Sequence, residues 1–276
     1  MTATTDTELN NLLERAESYV IDMDGVIYRG DLCLPYVPEF LQALEARGIP
    51  YLMATNNSTK SPQEFADKLQ KMGIELGADR ILTSSVATRG MVEERYPKGT
   101  GVCVVGMAAL HAAMFDDGYF VPAGKDAQVV VSGGHFGLTY DDLRKACLAI
   151  RAGADWFATN GDTTFPTEEG IIPGSGAIIA ALHAATDKSP VVVGKPSTGM
   201  IEEAMQSLGT SAPTTIMLGD RLDTDILAGE RAGLPTMLVM TGVTDAGELE
   251  ASDITPDVII DDLAPLVAFY SGQVSS

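Results

Sequence analysis

Two carboxylates, Asp22 and Asp24, close the short apolar run Tyr19-Val20-Ile21 and lead into Gly25. In an extended chain, residues i and i+2 share a face. At a strand's end the two acids would therefore aim at one spot. At about 4 Å and an effective dielectric of about 20, such a pair repels by roughly 4 kcal/mol. Relief takes one of two forms. One carboxyl keeps its proton and can donate it, or a cation sits between the two. An Asp-Gly pair also suits a plain strand-ending turn, so these residues alone do not choose between chemistry and a turn.

Three further strand ends carry groups of the same kind. Thr55, Asn56 and Asn57 follow the apolar run 51–54, and Lys195 follows Val191-Val192-Val193-Gly194. Asp220 and Asp225 follow the run 214–218. Each has an ordinary explanation alone: a turn, a helix cap, a surface lysine. Together, each behind an apolar run, they imply one site if the four strands are parallel neighbours. Open α/β sheets bind ligands just beyond the carboxyl ends of their strands.

The elements needed to position them are legible. Helices are predicted at Pro38–Arg47, with Gly48 as stop, from Ser61 to Met72, and from Val86 to Arg95. Strands are predicted at 50–54 and 80–83, so strands and helices alternate, the pattern of a parallel sheet with crossover connections. From Gly99 the pattern restarts: strands at 101–106, 128–131 and 155–158, and helices at 108–114 and 140–151. The last of these carries the stripe Leu143, Ala146, Cys147 and Ile150. A polar loop is expected over Thr159–Gly170, then a helix over Ser175–Ala185. Residues 187–190 read as a return crossing, followed by strands at 191–193, 214–218, 235–239 and 257–260, with helices ending at Leu208 and Ala232.

The sequence carries 38 acids against 18 bases, a net charge of −20. That disfavours nucleic acid or an anionic membrane as partner, since both need basic patches. A small anionic substrate stays open, provided local cations receive it. Hydrophobic residues make up 45% of the 276 positions, enough for a sizeable core. Cys33, Cys103 and Cys147 lie far apart with no CxxC spacing, as small core residues of a reducing compartment do. No apolar stretch approaches the length of a membrane span. The expectation is a soluble cytoplasmic protein, with residues 1–10 polar and frayed.

The ordered set resembles the haloacid dehalogenase (HAD) phosphatase superfamily over nearly the whole chain. The matching pieces are Asp22-Met23-Asp24-Gly25-Val26, Thr55-Asn56-Asn57-Ser58, Gly194-Lys195-Pro196 and the run from Gly219 to Asp225. Ala158-Thr159-Asn160 and Pro173-Gly174-Ser175-Gly176 match as well. The likeness is to the branch with a large α/β cap of the C2 type, which includes NagD-like, 4-nitrophenyl, phosphoglycolate and pyridoxal phosphate phosphatases. It implies an α/β, Rossmann-like core with a parallel sheet, formed by residues 1–86 and 188–276, and an inserted α/β cap over 87–187. It also implies Mg²⁺-dependent hydrolysis of small phosphorylated metabolites through an aspartyl-phosphate. The substrates would be of sugar phosphate, phosphoglycolate, pyridoxal phosphate or nucleotide type, with 4-nitrophenyl phosphate turned over in vitro.

By that resemblance Asp22 is the nucleophile and Asp24 the general acid and then base. Thr55, Asn56 and Asn57 bind phosphoryl oxygens, and Lys195 holds nucleophile and phosphate together. Asp22, the Asp24 carbonyl and Asp220 ligate Mg²⁺, with Asp225 beyond them through water or a shared hydrogen bond. Charge counting points the same way. A bound phosphate brings about −2, three aspartates add to it, and Lys195 with a helix N-terminus returns about +1.5. An all-oxygen donor set suits Mg²⁺. Asp24 separates phosphatases from dehalogenases of the group, which lack a carboxylate there.

The cap would exclude water and contact the leaving group. Candidates are His135, Asn160, Asp162 and Thr164, with Thr159 and Phe165 beside them. Many relatives carry Gly-Leu-Asp-Arg where this chain has Ser132-Gly133-Gly134-His135, which weakens the transfer of a named substrate. Pro173-Gly174-Ser175-Gly176 reads as a tight lead-in to a helix rather than a nucleotide loop. Some relatives dimerise through the cap, so a homodimer is open. Two rival readings remain at this level: a phosphotransferase or phosphomutase of the same superfamily, and a non-catalytic phospho-ligand binding protein. Asp24 and Lys195 argue against the latter, since binding alone has no need of the second acid.

Overall fold

The apolar runs behind the four motifs fold as strands, but into two sheets rather than one. The computed structural model describes residues 5–167 and 169–272. In chain order the elements begin α1 (Asp6–Arg15), β1 (Ser18–Ile21), β2 (Tyr28–Arg29), β3 (Leu32–Cys33), α2 (Val37–Ala46), β4 (Tyr51–Thr55), α3 (Pro62–Lys71), β5 (Ile81–Thr83) and α4 (Ser84–Arg95). Next come β6 (Gly101–Val105), α5 (Ala108–Phe115), β7 (Val121–Pro122), β8 (Val129–Ser132), α6 (Tyr140–Ala152), β9 (Asp155–Ala158), β10 (Thr164–Thr167), β11 (Gly170–Pro173), α7 (Ser175–Thr186) and β12 (Val191–Val192). The chain continues through α8 (Gly199–Leu208), β13 (Thr215–Gly219), α9 (Leu227–Ala232), β14 (Thr236–Val239), α10 (Ala246–Ala251), β15 (Val258–Ile260) and α11 (Ala264–Tyr270).

These elements fall into two compact units. One contains the residues up to Thr55, Phe65–Leu82 and those from Ile201 on; the other contains Asn56–Glu64 and Thr83–Met200. The first unit holds the six-stranded sheet β15-β14-β13-β1-β4-β5. Its centre is β1, parallel to β13 on one side and β4 on the other. β1 is buried at every position, as a strand covered on both faces must be. On one side Tyr19, Phe40, Leu44, Met53, Leu218 and Leu266 close a core with almost no exposure.

The second unit holds the five-stranded parallel sheet β12-β9-β8-β6-β7. Its core packs Val130, Ala146, Ile150, Trp156 and Leu182. The predicted stripe on α6 is only partly inward: Ala146 and Ile150 are buried, while Leu143 and Cys147 lie at the margin.

Three expectations need correction. The strand before Lys195 does not neighbour β1; it pairs with β9, Val191 beside Phe157 and Val192 beside Ala158. The physical reason is local: α7 is a crossover helix, and crossovers return a chain to a parallel strand of the same sheet. The expected loop 159–170 contains a strand, β10, which pairs antiparallel with β11. Thr and Phe supply the β-forming side chains, and Gly170, which opens β11 opposite Thr167, takes φ +128°. Residues 1–4 of the expected frayed start lie outside the described residues, but from Asp6 the chain is helical. Thr5 and Glu8 form a capping box, and Leu9 and Leu13 are buried one turn apart. Of the cysteines, Cys103 is buried, whereas Cys33 and Cys147 are only partly so.

Candidate active site

The register of the first sheet sets the site. Ile21 lies beside Leu218 and Met53, so Asp22 emerges level with Gly219 and Ala54 at the strands' carboxyl ends. The Asp22 N–H still donates to the Leu218 carbonyl, at 2.9 Å. Beyond this line the chain turns sharply. Gly25 takes φ +89°, and a Cβ there would meet the Asp220 carboxylate at 2.4 Å. Gly219 is equally constrained: a Cβ would lie 2.2 Å from Cβ of Asp225. A single π-helical turn, Leu222–Ile226, precedes α9 and folds Asp225 back over Gly219, where the Arg221 N–H donates to its Oδ2.

The result is a cluster of three acids. One ligand oxygen each from Asp22, Asp220 and Asp225 lies within 4.8 Å of the others. Asp220 and Asp225 are buried and Asp22 is half-buried. Carboxylates this close and this dry repel one another unless a cation joins them. The donors are all hard oxygens, with no histidine or thiolate among them, and fit a small divalent cation. Asp24 keeps an edge in solvent, yet the protein packed around its carboxyl raises its pKa, against the opposing charges of Lys68 and Arg29. A raised pKa favours the protonated form that a general acid needs. Burial first, and then the charges of Asp24 and Asp22, push the phenol of Tyr28 well above its usual range.

A feature missed in the sequence lies beside Asp220. The Val243 N–H donates to Asp220 Oδ2 at 2.6 Å, and a Cβ at Gly242 would sit 1.8 Å from that oxygen. The Thr241 hydroxyl donates to the Gly25 carbonyl at 2.6 Å. Arg29 donates from Nη2 to the carbonyls of Thr241 and Gly242. The available signal was a fifth polar strand end, Thr241-Gly242, just beyond the apolar β14.

The second unit gathers the other motif residues around Asn56. Thr55 closes β4 and is buried; Asn56 follows it in the chain. Asn56 Nδ2 donates to the Lys195 carbonyl at 2.8 Å and lies 3.3 Å from Asp162 Oδ2. Its own carbonyl accepts from Asn160 Nδ2 at 2.7 Å and from the Ser84 hydroxyl at 2.6 Å. Gly194 permits this approach, because a Cβ there would lie 2.7 Å from Asn56 Oδ1. Lys195 is buried. Asn57 accepts at Oδ1 from Thr59 N and Oγ1, shaping the turn.

The expected cap residues divide. Asn160 and Asp162 belong to the Asn56 network, while Thr164 is exposed on β10. His135 is half-buried; its Nδ1 accepts from the Gly137 N–H, and Nε2 lies 3.9 Å from Asp142. Phe136 and Phe165 bring their rings to 5.4 Å between centroids. Gly133 and Gly134 explain their own presence. The Ser58 hydroxyl accepts from the Gly134 N–H, and a Cβ at Gly133 would lie 2.9 Å from that oxygen.

Comparison with known proteins bears on this site directly. A family described as haloacid dehalogenase-like hydrolase matches residues 19–119, and one described as HAD-hydrolase-like matches residues 192–266. The 5'-nucleotidase YutF of Bacillus subtilis is 38% identical over 253 residues, covering 92% of this chain and 98% of the relative. The acid sugar phosphatase of Staphylococcus aureus is 33% identical, with 93% and 98% covered. The structure of NagD from E. coli K-12 superposes with a TM-score of 0.84 at 29% identity, covering 90% of this chain and 97% of that one. With relatives this similar from end to end, the chain belongs to the haloacid dehalogenase-like hydrolases, in their NagD-like branch of phosphatases.

Proposed function

We propose that this phosphatase is a Mg²⁺-dependent phosphomonoesterase acting on small phosphorylated metabolites, with Asp22 as nucleophile. The observation that carries the reading is the cluster of Asp22, Asp220 and Asp225 at the carboxyl ends of β1 and β13, with ligand oxygens within 4.8 Å of one another. The raised pKa of Asp24 two residues on adds an acid beside the nucleophile.

The residues divide the work as follows. An Asp22 oxygen attacks phosphorus, and the bond from phosphorus to the leaving oxygen breaks. Asp24 gives its proton to that oxygen, so the alcohol departs neutral. Asp24 then takes a proton from water, whose oxygen attacks the aspartyl-phosphate and restores Asp22. Asp22, Asp220, Asp225 and the Asp24 carbonyl would hold Mg²⁺, which supplies charge neutralisation for the phosphoryl group. Thr55, Asn56 and Lys195 are assigned to the phosphoryl oxygens by their motif positions. The curated relatives carry nucleotidase and sugar-phosphatase names, so nucleoside monophosphates and sugar phosphates head the substrate screen.

The test is turnover of 4-nitrophenyl phosphate by purified protein with Mg²⁺ and with EDTA. Turnover should need Mg²⁺ and fall at least about 10³-fold in Asp22→Asn. A wild type inactive under every divalent condition, or an undiminished Asp22→Asn variant, refutes the reading.

A further inference from the structure

We infer that Arg29 and the loop Thr241–Thr244 form a clamp that sets metal affinity by fixing the Asp220 carboxylate. The inference rests on the cation site proposed above and concerns residues that do not touch the metal themselves.

The clamp has two jaws of backbone. One is Gly25, at φ +89°; the other is Gly242. Cβ atoms at these glycines would lie 2.4 Å and 1.8 Å from Asp220 Oδ2, so the carboxylate is held where only hydrogen atoms fit. Within the jaws it is fixed by the Val243 N–H at 2.6 Å, while the Thr244 N–H donates to the Asp220 carbonyl at 3.2 Å. The jaws are tied to each other by the Thr241 hydroxyl on the Gly25 carbonyl, at 2.6 Å. Arg29 ties them again from the solvent side through the Thr241 and Gly242 carbonyls. It reaches them from β2, which follows directly on the Asp22–Gly25 turn. One Asp220 oxygen is thus spent on orientation, and the carboxylate's direction is decided before any cation arrives. Loss of a partner that orients a ligand in this way typically costs about 10–100-fold in metal affinity.

The sign of the effect separates a clamp from a mere nearby charge. Arg29 is a cation close to the acids. On Coulomb's law alone, its removal would tighten binding of a divalent cation. Loss of a clamp does the opposite.

The experiment is calorimetric titration of the apo protein with Mg²⁺, without phosphate, for the wild type, Arg29→Gln, Arg29→Lys and Thr241→Val. Circular dichroism and the apo melting temperature monitor the fold. Arg29→Gln is expected to weaken Mg²⁺ binding about 10-fold, with Arg29→Lys between it and the wild type. Thr241→Val, which changes no charge, should weaken binding as well. KM for substrate at saturating Mg²⁺ should be unaltered. Arg29→Gln binding Mg²⁺ as tightly as the wild type, or more tightly, overturns the clamp. So does a Thr241→Val variant that melts earlier yet binds Mg²⁺ unchanged, since Thr241 would then be structural only. A wild type that binds no Mg²⁺ would instead sink the cation site itself.

Discussion

Replacing Asp220 by Asn should make the metal-free protein more stable and the Mg²⁺-loaded protein less so. The magnitude follows from the cluster. Two unit charges no more than 4.8 Å apart repel by at least about 3.5 kcal/mol at an effective dielectric near 20. Asp220 takes part in two of the three pairs, so its charge accounts for at least about 7 kcal/mol of gross repulsion. Relaxation of half-buried Asp22, proton uptake and screening reduce this to a net of about 1–3 kcal/mol. Asn keeps the oxygen that accepts from the Val243 N–H, so packing is spared. At about 2–4 °C per kcal/mol, the variant should melt about 2–12 °C above the wild type in EDTA. Mg²⁺ at about 1,000 times its Kd adds about 4.1 kcal/mol to whichever protein binds it. The wild type should therefore gain about 8–16 °C and the variant far less, reversing their order. Differential scanning calorimetry with EDTA and with Mg²⁺ measures both. A variant that melts below the wild type in EDTA and gains as much from Mg²⁺ refutes the account.

Other perturbations follow from the same geometry. Lys68→Met removes a cation that holds the Asp24 carboxyl down; the alkaline limb of the kcat/KM profile should move to higher pH, and a shift to lower pH would contradict Asp24 as the acid. Gly219→Ala forces a methyl onto Asp225, at 2.2 Å from its Cβ; overpacking of about 1–3 kcal/mol should appear in urea melts, together with weakened Mg²⁺ binding. Burial pushes the Cys103 thiol up to about 11. At pH 8 only about one molecule in a thousand would carry its thiolate, so alkylation should be slow in native protein and rise as pH climbs towards 11 or on unfolding. Phe40→Ala, at a position with no exposure, should cost about 3–5 kcal/mol in urea titrations.

Much of the first sheet was legible because its residues report their surroundings directly. The runs ending at Ile21, Ala54 and Leu218 are apolar without alternation, which only strands covered on both faces can be. Asp22, Asp220 and Asp225 were legible as a set because each follows such a run. The partner of Val191–Val192 was not. Nothing in those residues says which sheet takes them; the α7 crossover decides that, and it is a property of chain path. The hairpin β10–β11 hid behind polar composition, since Thr serves loops and strands alike. The Asp220 clamp was hidden for another reason. Its contacts run through main-chain groups at Gly25, Thr241, Gly242 and Val243, and a backbone N–H or carbonyl carries no mark in the sequence.

The pairing of β1 with β13 ties Ser18 to Thr215 across 197 residues, hydroxyl to hydroxyl at 2.8 Å. During synthesis the central strand must therefore wait for its second neighbour. At roughly 5–20 residues per second, the delay is on the order of 10–40 s. The whole second sheet, β6 to β12, leaves the ribosome within that interval and can pair its strands without β13. The unit bearing the acids is thus the later to be completed, and the uncovered edge of β1, wholly apolar from Tyr19 to Ile21, is the stretch that a nascent chain must keep from other chains meanwhile.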